Sequence, residues 1–257
     1  MATRFFEPAP PRVIAHRGLT VDASGSPAVP ENTLAAFQAA LDVGVTHLET
    51  DVRASRDGVA VISHDPDFER LLGRTERVAE LTLAELGAVD LGGGHRMPTL
   101  AEALEAFPGA CFNIDIKSAD AILPTVEAIR DAQALDRVLV TSFSETRRLA
   151  ALALLPGVAT SAAARRIVPV LYSARVHLPP LVRLLLKTID AVQVPQTAAG
   201  VRTATPRMLR LLHSAGVEVH IWTVNEPREM ERLFALGVDG VVTDRADLAL
   251  RVLGSRG

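Results

Sequence analysis

Glu49 and Asp51 stand two apart in His47-Leu48-Glu49-Thr50-Asp51-Val52, ahead of an Asp57-Gly58 turn and the run Val59-Ala60-Val61-Ile62-Ser63-His64-Asp65. Side chains two apart on a strand point to the same side, so the two carboxylates converge. A two-residue hairpin at Asp57-Gly58 pairs Arg56 with Val59, and the same register sets Asp51 opposite His64. Two acids with an imidazole returning to them suit metal-assisted phosphoryl transfer. For a lone pair of acids, a surface hairpin facing water is the plainer reading, and it weakens as matching groups appear elsewhere.

Such groups do appear. His16-Arg17-Gly18 ends one apolar run, and Asn113-Ile114-Asp115-Ile116-Lys117 sets Asn113, Asp115 and Lys117 on one face. In a closed parallel barrel, all of them reach the C-terminal rim, where barrel enzymes keep their working groups. Glu49, Asp51 and Asp115 buried together repel one another unless a cation sits among their oxygens. An all-oxygen set suits Mg²⁺ or Ca²⁺ over zinc. The structural alternative is a salt-bridge network of the same acids with Arg17 and Lys117.

The elements that position these residues follow from short β-branched runs alternating with Ala/Leu-rich stretches. Strands are predicted at Arg12–His16, Thr46–Val52, Cys111–Lys117, Arg137–Ser142, Val158–Ser161, Ala191–Pro195, Val217–Trp222 and Gly240–Thr243. Helices are expected near Glu31–Val43, Leu100–Ala106, Ala119–Ala134, Ser144–Leu154, Pro180–Lys187, Pro206–Ala215, Pro227–Leu236 and Ala246–Leu253. Alternating units of this size imply parallel strands joined by crossovers, and eight of them close into an α/β fold of the (β/α)8 TIM type. An open doubly wound sheet is the rival fold, yet no glycine-rich phosphate motif follows any strand. Gly92-Gly93-Gly94 precedes Met97-Pro98-Thr99 and reads as a flexible loop. Residues 1–257 thus read as one barrel domain. The stretch 66–97 after strand two is an insertion with a short helix at Leu83–Val89, either a lid over the mouth or a plain excursion.

Bulk properties narrow the function. In 257 residues, 48% apolar content and a mean hydropathy of +0.23 argue against disorder. A formal net charge of -3 and a pI near 6.2 give no global attraction to nucleic acid or anionic lipid, so an anionic substrate must be held locally. The single cysteine, Cys111, excludes an intramolecular disulfide and a thiolate zinc cluster, points to a reducing compartment, and opens an apolar strand as a core residue. The run from Met1 to Pro8 lacks the apolar stretch of a secretory signal, and Pro8, Pro10 and Pro11 oppose one, so a cytoplasmic protein is expected. Ile167 to Leu186 is the most lipid-like segment. Arg175, His177, Pro179, Pro180 and Arg183 interrupt it, whereas a spanning helix needs about 20 mostly apolar residues. A buried barrel helix with its loop is expected there, with peripheral lipid contact as the alternative.

The ordered set His16-Arg17-Gly18, Pro30-Glu31-Asn32-Thr33, Glu49 with Asp51, His64-Asp65, Asn113-Ile114-Asp115-Ile116-Lys117, Trp222-Thr223-Val224-Asn225 and Asp239-Gly240-Val241-Val242-Thr243-Asp244 resembles the glycerophosphodiester phosphodiesterase family. The match runs from about residue 12 to the last helix. The resemblance implies a TIM-type barrel with an insertion after the second strand. It also implies metal-dependent hydrolysis of a small-molecule glycerophosphodiester to glycerol 3-phosphate and an alcohol. One departure is Asp115, one methylene shorter than the glutamate the family's pattern leads one to expect.

On this footing a metal on Glu49, Asp51 and Asp115 polarises a phosphate oxygen while Arg17 and Lys117 offset charge on the phosphoryl group. His16 and His64 divide the proton work, one activating water or a substrate hydroxyl and the other protonating the leaving oxygen. Trp222 either packs on the glycerol moiety or closes the top of the core. Glu31 and Asn32 read as helix-capping residues, to which the resemblance adds a supporting role for Glu31 behind the site. Thr243 and Asp244 read as a cap for the last helix. His47, His95, His177, His213 and His220 are set aside as structural, with His47 and His220 lower in the barrel. Competing functions are a lysophospholipase D acting on lysophospholipids, a metal-dependent lyase or aldolase barrel, and a binding barrel with a phosphate pocket.

Overall fold

The apolar β-branched runs form β1 (Arg12–His16), β2 (His47–Ala54), β3 (Cys111–Ile116), β4 (Val138–Thr141), β5 (Ala159–Thr160), β6 (Ala191–Val194), β7 (Glu218–Ile221) and β8 (Gly240–Thr243). The structure is a computed structural model that describes residues 3–176, 178–198 and 200–255; Met1, Ala2 and His177 lie outside them. Neighbouring strands pair in parallel from β1 through β5 and from β6 through β8 back to β1. The remaining seam is bridged in parallel between Ser161 and Ala191, with the Ala162 amide donating to the Ala191 carbonyl at 3.0 Å. This is the expected (β/α)8 barrel.

Around it run α1 (Leu34–Asp42), α2 (Leu100–Ala106), α3 (Ile122–Asp131), α4 (Glu145–Leu154), α5 (Ala164–Arg175), α6 (Pro179–Leu186), α7 (Pro206–His213), α8 (Pro227–Leu236) and α9 (Ala246–Gly254). Strand residues pointing outward, such as Leu48, Ile114, Ile116 and Val140, are buried with helix residues such as Phe37, Leu104 and Val126 in one core. No helix among the described residues is long and apolar enough to cross a membrane. Ile167 to Leu186, expected as one buried helix with its loop, instead spans two helices, α5 and α6. Their inner residues Val170, Leu171, Val182 and Leu186 are buried while Val168, Leu181 and Leu184 are exposed.

The hairpin after β2 corrects the expected register. The loop holds three residues, Arg56-Asp57-Gly58, because Gly58 takes a left-handed φ of 80° and the Ser55 amide donates to the Val59 carbonyl at 2.9 Å. Asp51 therefore faces Ser63 across the ladder, not His64. A slip of one residue reverses the face of every side chain on a strand. His64 escapes that reversal because the returning strand, Ala60–Ile62, has already ended. Its carbonyl is held by Arg53 Nε at 3.1 Å and by a second guanidinium nitrogen at 2.9 Å.

The expected excursion carries the strands Asp67–Phe68 and Arg74–Arg77 and the helices Glu69–Leu72 and Leu83–Gly87. It has a small core of its own from Phe68, Val78, Leu86, Val89 and Met97, seated on Val61.

The barrel floor is closed by the turn Arg4–Phe6, whose Phe5 is buried against Cys111, Leu139, Ala159 and Ala191. His47 points into this floor, with Nε2 2.7 Å from the Phe5 carbonyl oxygen. His220 lies beside it on Glu218 at 3.0 Å, so both histidines sit low in the barrel as expected. Burial drives the His47 pKa from 6.5 down to about 4. The folded protein thus refuses a proton that the unfolded chain accepts below pH 6.5. Stability from this group is complete above pH 6.5 and is lost as pH falls toward 4, by roughly 3 kcal/mol in all. Denaturant melts at pH 7 and 4.5 should show His47→Gln losing less stability on acidification than the wild type. Equal losses in the two proteins would refute the assignment.

Candidate active site

The register lines up the rim. His16 of β1 stands beside Glu49 of β2, Glu49 beside Asn113, and Asp51 beside Asp115 of β3. A cleft of about 420 Å³ opens there, lined on its polar side by His16, Arg17, Glu49, Asp51, His64, Asn113, Asp115 and Lys117. Trp222, Phe143, Ile167 and Val168 add apolar lining. Glu31 is not among the lining residues, and its carboxylate receives Arg17 Nη1 at 2.9 Å.

Adjacent strands hold Asp51 and Asp115 only about 5 Å apart, close enough for strong repulsion. Lys117 Nζ stands between them, 2.7 Å from Asp51 Oδ1 and 2.6 Å from Asp115 Oδ2. Arg17 Nε lies 3.2 Å from the other Asp51 oxygen, which also accepts from Asn32 Nδ2 at 3.2 Å. Burial alone would lift the Asp51 carboxyl, but Lys117 and Arg17 outweigh it and hold it below the usual range. Burial wins at Asp115, whose pKa is raised. Glu49, buried and repelled by Asp51, is pushed up to about 7.

Each histidine is fixed by a carboxylate on the same ring atom. His16 Nδ1 lies 2.6 Å from Asp244 Oδ1, and its Nε2 faces Glu49 at 3.9 Å. His64 Nδ1 lies 2.7 Å from Asp65 Oδ1. Burial pulls the His16 pKa down, yet the Asp244 hydrogen bond and the Glu49 charge outweigh it, so the net shift is upward. Asp244 is therefore no helix cap, contrary to the sequence expectation. The residue at the start of α9 is Arg245, whose amide is received by Thr243 Oγ1 at 2.9 Å, while Asn225 Nδ2 bonds Asp244 at 2.7 Å. Glu31 and Asn32 are not caps either. Thr33 caps α1 by accepting the Ala36 amide, and Asn32, at a φ of 57°, spends its side chain on Thr50 and Asp51.

The geometry is that of a rim cleft with two carboxylate-held imidazoles, two cations and three buried acids. A sequence model of the glycerophosphoryl diester phosphodiesterase family matches residues 16–248. The chain belongs to that family. It is thereby an enzyme of the phosphoric diester hydrolase class. It is 43% identical to probable glycerophosphodiester phosphodiesterase 2 of Mycobacterium tuberculosis over 245 residues, which cover 95% of this chain and 91% of that one. A putative glycerophosphoryl diester phosphodiesterase from Silicibacter pomeroyi superposes with a TM-score of 0.79 at 25% identity, covering 98% of this chain and 95% of the other. An Oleispira antarctica phosphodiesterase, solved in complex with the product sn-glycerol-3-phosphate, gives a TM-score of 0.76 at 26% identity, with 95% and 97% covered.

In this phosphodiesterase the three acids line one cleft without closing into a ligand set. Among the described residues, no three His, Cys, Asp or Glu side chains stand close enough together to hold a metal ion. Lys117 fills the space between two of them, as in the salt-bridge alternative. The donor chemistry nevertheless fits a hard cation, since Asp115 Oδ1 is buried with no hydrogen-bond donor and Glu49 is held high by burial and by the charge of Asp51.

The turn that carries Arg17 into the phosphodiesterase cleft depends on Gly18. Its φ is 88°, and a Cβ there would lie 2.6 Å from the Ala36 carbonyl carbon at the start of α1. Gly18→Ala should destabilise the fold by roughly 1–3 kcal/mol through backbone strain, with the clash added to it. An unchanged thermal midpoint would remove this account of the His-Arg-Gly turn.

Proposed function

We propose that the chain hydrolyses glycerophosphodiesters to glycerol 3-phosphate and an alcohol, with divalent-metal assistance and with His16 and His64 as the acid and the base. The observation that carries this reading is the shared support of the two imidazoles. With each Nδ1 engaged by a carboxylate, Nε2 is the ring atom left for substrate, as proton transfer at two oxygens of one phosphodiester requires. The product bound to the Oleispira relative supports glycerol 3-phosphate as the product here.

Arg17 and Lys117 hold the phosphate and offset the charge that grows on it as the bond to the leaving oxygen breaks. One imidazole takes the proton of the attacking water or substrate hydroxyl, and the other delivers a proton to the departing alkoxide. A divalent cation, Mg²⁺ or Ca²⁺, held by Glu49, Asp51 and Asp115, supplies Lewis-acid polarisation of a phosphate oxygen when bound. Trp222 and Phe143, edge to face at 6.1 Å between ring centroids, form the wall on which the glycerol carbons rest. A cytoplasmic site of action accords with the single, buried Cys111.

Phosphorus NMR of the purified protein with a mixture of glycerophosphodiesters and lysophospholipids tests the reading. The glycerol 3-phosphate resonance should grow, stop in excess chelator and resume on addition of Mg²⁺ or Ca²⁺. Full turnover in chelator removes the metal from the mechanism, and diester consumption without glycerol 3-phosphate overturns the proposed bond cleavage.

A further inference from the structure

The net charge of -3 conceals a division of the chain. Residues 146–217, which include α5, α6 and α7, carry ten Lys and Arg but one carboxylate, Asp190; the other residues carry 17 basic against 29 acidic side chains. Glu145, the acid that borders this stretch, is engaged by Arg148 at 2.8 Å and Arg166 at 2.7 Å. Arg165, Arg175, Arg183 and Lys187 are exposed within it.

The same stretch is apolar where it faces outward. Val168, Tyr172 and Val176 recur every four residues and so share one side of α5 and its continuation. Leu181 and Leu184, three apart, share one side of α6, and Val176 and Leu184 are 64% and 68% exposed. Outward aliphatic side chains on two packed helices, beyond their buried inner faces, mark an interaction surface. Val168 is also a wall of the active-site cleft, as is Phe143, 57% exposed, so the surface begins at the mouth.

We propose that the α5–α6 face docks on an anionic phospholipid bilayer, its aliphatic side chains entering the headgroup boundary and its Arg and Lys side chains meeting lipid phosphates. Charge selects this occupant. Packed face to face, a second copy of the chain would oppose like charge to like, and nucleic acid offers no aliphatic counterpart to Val176, Leu181 and Leu184. A bilayer with acidic headgroups supplies both partners, and each cation near its surface adds roughly fivefold to partitioning. Docked in this way, the cleft opens toward the headgroup layer.

Co-sedimentation with phosphatidylcholine vesicles, with and without phosphatidylglycerol, tests the docking without any reference to turnover. The protein should pellet with the phosphatidylglycerol vesicles and be released by high salt. Val176→Asp with Leu184→Asp should abolish pelleting, and Arg175→Glu with Lys187→Glu should lower partitioning by roughly a hundredfold or more. Both pairs should keep the wild-type melting temperature and wild-type hydrolysis of a water-soluble diester. The proposal is overturned if the protein stays in the supernatant or pellets equally with pure phosphatidylcholine. It is also overturned if pelleting survives the aspartates, or if the face instead mediates self-association or binding of RNA.

Discussion

His16→Ala and His64→Ala should each lower kcat by roughly 10² to 10⁴-fold on a soluble glycerophosphodiester, with little change in folded stability. Both rings line the cleft and are partly exposed, so their removal empties no core. On the proposed mechanism, each variant loses a proton carrier held in place by its carboxylate. The orienting acid gives a finer readout. Asp244 is among the groups that raise the His16 pKa against burial, so Asp244→Asn lets it fall, and the imidazolium form then persists only to lower pH. If His16 works as the acid, the alkaline limb of the kcat profile moves to lower pH; if it works as the base, the acidic limb moves the same way. Wild-type rates in both alanine variants would end the assignment of acid and base.

Lys117→Met should have the largest effect on stability. Its ammonium stands between Asp51 and Asp115, both almost wholly buried, with Glu49 also on the polar wall of the cleft. Removing one partner of a buried ionic cluster leaves the other uncompensated, at a cost of about 3–5 kcal/mol. Denaturant titration in chelator measures this loss. The proposed metal adds a second outcome, because a ligand that binds only the folded state stabilises it by mass action. Mg²⁺ or Ca²⁺ should recover part of the loss in Lys117→Met, where no ammonium competes for the same oxygens. No recovery at saturating cation would remove Asp51 and Asp115 from the ligand set. Turnover should fall with stability, since Lys117 no longer offsets charge on the phosphoryl group.

The barrel was legible because its strands are short β-branched runs bounded by turn residues, and all eight appear within two residues of their expected ends. Helix α5 was hidden for the opposite reason. Pro169 lies within it and reads as a breaker, although the helix carries it. The hairpin register was missed because Asp-Gly fits a two-residue and a three-residue loop equally well, and Ser55, bonded to Val59 through both its amide and its hydroxyl, marks the longer one. The rim residues on β1, β2 and β3 were found through strand alternation. The partners of the histidines divide on the same principle. Asp65 adjoins His64 in the chain, whereas Asp244 is 228 residues from His16 and meets it only because β8 closes onto β1.

Arg70 belongs to the excursion after β2, yet its guanidinium bonds both Asp65, at 2.6 Å from Nε, and Glu31. Asp65 steadies His64, and Glu31 steadies Arg17, so one exposed side chain braces two groups that line the same cavity. Besides its small core on Val61, the excursion thus carries a polar clasp to the rim at this one residue. A barrel engineered with a shorter connection between β2 and α2 would have to restore a guanidinium at that point before its rim residues could act in concert.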